Sequence, residues 1–262
     1  MKLVSQIYEI QSPDQALEVI KLGVDHLGSV VIDSQNFIKD QDLKDTVTQT
    51  KSLKRKSSII PLFTDFEKVM KLIDFFEPDI LHLCESLIYE NEYLEKKYLE
   101  SFFEFQYKLK SRNKSLNLMR SIPLSSESSS FEEKENLRLK LEDFLSAFTE
   151  ISDFFLTDTY FVQGNHFQPV PGFLGITGKL CDLDGAKFLV EISKIPVILA
   201  GGLSPENVFD SAIKVKPYGL DCCSNTNLVD ESGNNIRFKK DLKKVKKFVE
   251  EIKRAEKYLN IS

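Results

Sequence analysis

The chain has 262 residues, of which 42% are hydrophobic and 29% charged, with a formal charge of −5 and a pI near 5.4. That balance fits a soluble globular chain with a sizeable core, excludes disorder and coiled coil, and leaves no basic surplus for nucleic acid or anionic lipid. The opening MKLVSQIYEI lacks the features of a signal peptide and the apolar stretches are strand-length, so the expectation is a cytoplasmic protein with a small-molecule partner and no membrane.

Taken in chain order, short apolar runs alternate with amphipathic stretches. Leu3 to Tyr8 reads as the first strand, followed by a helix containing Ala16, Leu17 and Ile20 behind a Ser12 cap and Pro13, ended by Gly23. Further strands are expected at His26 to Ile32, Ser58 to Phe63, Asp79 to Leu83, Leu116 to Ile122, Phe154 to Asp158, Val197 to Ala200 and Tyr218 to Cys222. Leu137, Leu141, Phe144, Leu145 and Phe148 repeat at helical spacing, as do Leu242, Val245, Phe248, Val249, Ile252 and Ala255. Lys239, Lys240, Lys243, Lys244, Lys246 and Lys247 interleave with that last face and read as its solvated side.

Eight strands alternating with helices imply right-handed crossovers and a parallel sheet that closes on itself: an α/β protein, a (β/α)8 TIM barrel forming one domain over residues 1–262. An open doubly wound sheet is the alternative, but no GxGxxG follows the first strand. Ile88 to Asn113 breaks the rhythm and reads as an enlarged fourth helical segment or a helix pair, and Ser125 to Ser130 as a Ser-rich loop. Cys84, Cys181, Cys222 and Cys223 show no metal-knuckle spacing and read as reduced thiols. Monomer and homodimer both remain open.

Ligands of parallel barrels sit at the C-terminal ends of the strands. Gly201 and Gly202, before Leu203, Ser204 and Pro205, follow the seventh strand; Cys223, Ser224 and Asn225 follow the eighth. Such turns form the usual phosphate site of this fold, so Gly201, Gly202, Ser224 and Asn225 are expected to hold a phosphorylated ligand. The bland reading of Gly201 and Gly202 is a tight turn alone. Asp158 ends the sixth strand before a connection of about twenty residues, Thr159 to Leu180, long enough to be a lid. Beneath it Asp158 is placed as a general acid, with helix capping or loop bracing as its structural counterpart.

With these elements placed, the chain resembles the phosphoribosylanthranilate isomerases, through SPDQALEVIKLGVDHLG (Ser12 to Gly28) and PVILAGGLSPENV (Pro196 to Val208), and through FLTDT, GITG and GLDCCSN at Phe155, Gly175 and Gly219. The resemblance implies an intramolecular oxidoreductase of tryptophan biosynthesis: an Amadori rearrangement of an N-phosphoribosyl aromatic amine with an Asp acid, a Cys base and no cofactor. Asp158 falls on the acid, and Gly201, Gly202 and Ser224 on the phosphate loops. Tyr8 falls where the catalytic Cys belongs, and Gln6 where a Lys is usual; a phenol with a pKa near 10 is a poor base at neutral pH. Asn36, near the family's substrate-binding Arg, and Arg120, in place of a fifth-strand Lys, are the candidate substrate-binding residues that the resemblance implies, both expected at the ligand, and His82 and Cys84 replace a Gln and a His. His82 is a candidate replacement base, or a structural histidine; His166 in the lid is a weaker one, and His26 reads as structural. His82 and Glu85 do not converge on a strand, so no metal is assigned. The alternative reading is a divergent phosphate-binding barrel acting on another sugar phosphate, or without catalytic activity.

Overall fold

The structure, a computed structural model, describes residues 2–89, 92–93, 96–160, 172–175 and 177–261. Eight parallel strands form a closed barrel in sequential order: β1 Val4–Ile7, β2 His26–Val31, β3 Lys56–Pro61, β4 Ile80–Leu83, β5 Asn117–Ser125, β6 Phe154–Tyr160, β7 Val197–Leu199 and β8 Gly219–Cys222. The ring closes where β1 pairs with β8, Gln6 opposite Asp221 and Ile7 opposite Cys222. The (β/α)8 barrel is therefore the observed fold, and the open sheet is excluded.

Among the described residues, eight α-helices surround it: α1 Pro13–Lys21, α2 Gln41–Ser52, α3 Phe66–Phe76, α4 Lys96–Arg112, α5 Phe131–Phe148, α6 Leu183–Ile192, α7 Val208–Val215 and α8 Leu242–Ile261. Local chemistry sets their ends. Ser12 accepts from the Gln15 amide with Pro13 at the first turn, and Ser130 and Glu133 form a capping box before α5. Gly23, at φ +100°, takes the left-handed turn after α1. The apolar stripe of α5 (Leu137, Leu141, Phe144, Leu145, Phe148) is buried against the barrel.

Strand alternation sorts the side chains into two layers. Leu27, Ile122, Phe155, Leu199 and Leu220 face the helices in one large cluster, and Ile59, Leu81 and Leu118 do so in a second. Tyr8, Val30, Ile80, Met119, Leu156, Ile198 and Ala200 fill the barrel interior.

Two segments differ from the sequence expectation. The stretch from Ile88 opens with a short antiparallel pair, Ile88–Tyr89 with Glu92–Tyr93, before the single helix α4, so it is not a helix pair. The lysine run does not belong wholly to α8: Lys240 ends the second strand of an antiparallel hairpin, Asn227–Val229 with Asn235–Lys240. It is buried and donates to the Cys223 carbonyl and Asn227. The hairpin is fastened to the end of β1 by Glu9, whose carboxylate accepts from Arg237 at 2.7 Å and Asn227 at 2.9 Å. These partners hold the Glu9 carboxyl below its ordinary pKa despite burial.

No helix among the described residues is long and apolar enough to cross a membrane.

Candidate active site

The C-terminal ends of the strands carry a pocket whose wall includes Tyr8, His82, Cys84, Asp158, Gly201, Gly202, Asp221, Cys223, Ser224 and Asn225. Its floor is built from Tyr8. The ring crosses the barrel and its hydroxyl lies 2.7 Å from Ser58 Oγ and 2.7 Å from His82 Nδ1, while His82 Nε2 lies 2.8 Å from Ser121 Oγ. Both ring nitrogens of His82 are thus engaged, and at 2% exposure burial pushes its pKa down to about 3. Burial drives the Tyr8 phenol the other way, well above its ordinary value. A phenol that resists ionisation and an imidazole that resists protonation form a neutral, hydrogen-bonded plug.

Asp158 stands above this floor at the end of β6. Its Oδ1 accepts from the Thr159 amide at 2.9 Å, and desolvation raises its pKa from 3.8 to about 7. The near end of the connection after β6 reaches over it: a Cβ placed on Gly175 would lie 3.1 Å from Asp158 Oδ2. This segment is tied across the mouth to the end of β4 by Leu174 N to Cys84 O and Ser86 N to Gly172 O, both 2.7 Å, so Leu174 joins the pocket wall. His166, Gly164, Pro169 and Pro171 of the expected lid, and Ile176 of GITG, lie outside the described residues.

The turns after β7 and β8 meet on one side of the pocket. Asn225 Nδ2 donates to the carbonyls of Gly202 and Leu203, each at 3.1 Å. Gly201 and Gly202 adopt φ +91° and +70°, and a Cβ on Gly202 would stand 2.2 Å from the Lys179 carbonyl carbon, so glycine is required there for conformation and for space. Gly201, Gly202, Ser224, Asn225 and Asp158 therefore share one cavity.

Asn36 and Arg120 are not in that cavity. Asn36 is exposed in the loop after β2 and bonds Asp33 and Lys39. Arg120 shares the outward parity of Leu118 and Ile122 on β5 and is wholly buried behind the barrel. There it donates to Glu85 at 2.6 Å and Gln106 at 2.9 Å, with its guanidinium 5.0 Å from the Phe148 ring centre. The sequence expectation of Arg120 facing a ligand is corrected by this parity: a charged side chain in mid-strand is directed to the helix layer by the carboxylate waiting there. Among the described residues no group of three or more His, Cys, Asp or Glu is placed to hold a metal ion.

Asp221 was missed. It lies on β8, 7% exposed, lines the pocket, and accepts from Gln6 Nε2 at 3.1 Å. Burial raises its pKa to about 7, and the charge of Asp158 adds to the rise. The signal was available: in GLDC, Asp221 has the parity opposite to Leu220 and Cys222, both of which pack outward.

A closed eight-stranded α/β barrel, with two carboxyl groups and a glycine turn sharing the pocket at its strand ends, has the layout of a (β/α)8 enzyme. Residues 149–251 match the family described as N-(5'-phosphoribosyl)anthranilate (PRA) isomerase. An N-(5'-phosphoribosyl)anthranilate isomerase of Methanosarcina acetivorans is 39% identical over 84 residues, 32% of this chain and 32% of that protein. The chain thus matches only about a third of such a relative's length. Among solved structures, the N-(5'-phosphoribosyl)anthranilate isomerase of Pyrococcus furiosus shares the fold at a TM-score of 0.63 and 21% identity, over 96% of this chain and 99% of that one. A phosphoribosyl anthranilate isomerase in complex with reduced 1-(o-carboxyphenylamino)-1-deoxyribulose 5-phosphate does so at 0.62 and 17%, over 96% and 99%. Residues 149–251 thus resemble the phosphoribosylanthranilate isomerase family, and the barrel that contains them has the fold of the solved phosphoribosylanthranilate isomerases.

Proposed function

We propose that the chain, acting as a single domain over residues 1–262, is an aldose-ketose isomerase of the phosphoribosylanthranilate isomerase type in tryptophan biosynthesis, working in the cytoplasm. The observation that carries this reading is the presence of Asp158 in one pocket with Gly201, Gly202, Ser224 and Asn225. The glycine turn and the turn after β8 offer a dianion their backbone amides. Asp158, with its pKa lifted to about 7, keeps a proton at neutral pH to hand to the ribose ring oxygen as the ring opens. The segment fastened to β4 shuts water from the open-chain intermediate. No step calls on a metal or an organic cofactor. Tyr8 and His82 hold the floor and exchange no proton with the ligand.

Complementation of a tryptophan-pathway isomerase deletion tests the reading. Growth supports it, and absence of growth with soluble protein present rejects it.

A second reading is favoured by one observation: no Lys or Arg lines the pocket among the described residues, with Asn36 at the surface and Arg120 turned outward. Such a wall suits a phosphorylated ligand without a carboxylate, so a sugar phosphate with an uncharged aglycone is the alternative. Thermal shifts with inorganic phosphate, ribose 5-phosphate and a carboxylated product analogue separate the two, because a ligand stabilises only the state that binds it. Extra stabilisation from the carboxylated ring supports the first reading, and none supports the second.

A further inference from the structure

We propose that Asp221 is the proton acceptor of the isomerisation, taking over from β8 the role that Tyr8, just after β1, cannot fill. The inference rests on the isomerase reading above. It starts from what the other pocket side chains are committed to. Tyr8 and His82 spend their polar atoms on each other, Ser58 and Ser121. Glu9 is consumed by Arg237, Asn227 and the Phe238 amide. The thiols of Cys84 and Cys223 are pushed up by burial.

Asp221 is differently equipped. The register sets it opposite Gln6 of β1, and Gln6 Nε2 donates to one of its oxygens. Gln6 Oε1 lies 3.2 Å from His26 Nδ1. An amide oxygen only accepts, so His26 carries its proton on that nitrogen, and the relay fixes the Gln6 amide with its NH2 toward Asp221. The positive charge of Lys240 also favours the ionised form. The Asp158 carboxylate is favoured by the Thr159 amide. Two carboxyl groups in one desolvated pocket do not both ionise readily. Both groups are pushed up to about 7, so at neutral pH the pair shares one proton; in the proposed reactive state the Gln6 hydrogen bond holds the charge on Asp221 and the proton sits on Asp158, which are the states that a base and an acid must start from.

The step balances without another reactant. After Asp158 has protonated the ring oxygen and the ring has opened to the protonated imine, the C2–H bond breaks and the proton passes to the free Asp221 oxygen. The electron pair of that bond forms the C1–C2 double bond, and the imine π pair returns to nitrogen. The resulting enolamine becomes the ketone when C1 takes the proton back from Asp221 and the C2 hydroxyl proton passes to Asp158, which returns both carboxyl groups to their starting states. Gln6 and His26 are positioning residues.

The test compares wild type, Asp221→Asn, Asp221→Glu and Gln6→Leu on N-(5'-phosphoribosyl)anthranilate and its 2-deuterated form. Asp221→Asn should lower kcat about 10²- to 10⁴-fold with KM little changed. Asp221→Glu should recover part of the loss and show a larger primary isotope effect than wild type. Gln6→Leu should move the acid limb of the pH profile upward, because the hydrogen bond it removes favours the carboxylate. Wild type that turns over beside a folded Asp221→Asn retaining more than a third of kcat, with an unchanged isotope effect, overturns the proposal alone. Wild type that binds phosphate without turnover overturns the isomerase reading and the proposal with it.

Discussion

Gly28 on β2 makes room for Tyr8, the residue after β1: a Cβ on Gly28 would lie 2.2 Å from Cδ1 of the tyrosine ring. The ring can cross the barrel to His82 only because its neighbour has no side chain. Gly28→Ala should therefore destabilise the protein by about 1–3 kcal/mol as an overpacked core does. Combined with Tyr8→Ala, the alanine at position 28 should cost far less. A double-mutant cycle on urea unfolding measures the coupling, and additive costs would sink the idea.

Tyr8→Phe keeps the ring but strips Ser58 Oγ and His82 Nδ1 of their shared partner. Leaving such buried groups unsatisfied costs about 1–3 kcal/mol, so a matching fall in unfolding free energy is expected. Because the phenol is held as a neutral floor, kcat at neutral pH should change much less than on removal of either aspartate. A large kcat loss in a folded Tyr8→Phe would show that the phenol takes part in the chemistry.

Gly202→Ala forces a Cβ against the Lys179–Leu180 backbone at a φ of +70°. Wild type in inorganic phosphate at about 100 times its Kd should gain about 2.7 kcal/mol of stability, read as a rise in Tm. The variant should show no such rise. An undiminished shift would place the anion elsewhere.

The Asp221 pKa rises from 3.8 to about 7 in the folded chain. Between those values the folded protein keeps the proton while the unfolded chain releases it, so this group's stabilising contribution is complete below about pH 4 and is lost as pH rises to about 7. Asp221→Asn removes that dependence. Its Tm should exceed that of wild type more at pH 8 than at pH 5, and a difference that shrinks toward pH 8 would contradict the assignment.

Much of this molecule can be read from the order of its residues because a parallel barrel repeats one rule. Apolar runs bounded by turn residues marked all eight strands, and the stripe from Leu137 to Phe148 gave α5 its buried face. Asp158 and the turns that hold Gly201, Gly202, Ser224 and Asn225 were found because they lie at or just beyond the C-terminal ends of strands. Arg120 was assigned to the wrong side of β5 because its charge was weighed before its parity, although Leu118 and Ile122 already marked that face as outward. The contact between Tyr8 and His82, separated by 74 residues, depends on how the closed ring is filled, which no local pattern encodes. Asp221 lay hidden one position inside the turn that drew attention, and the hairpin ending at Lys240 was masked by lysines that continue into α8.

The seam between β1 and β8 sets a condition on how this protein can come into being. Gln6 meets Asp221 across 215 residues of chain, and Glu9 reaches Arg237 across 228. Contacts this remote form late, after the entropy of closing the intervening loop has been met. A ribosome-bound chain that has not yet delivered its final strand therefore has one carboxyl group and half a cradle. The two aspartates come together only when the circle is joined, so no shorter intermediate carries a finished pocket.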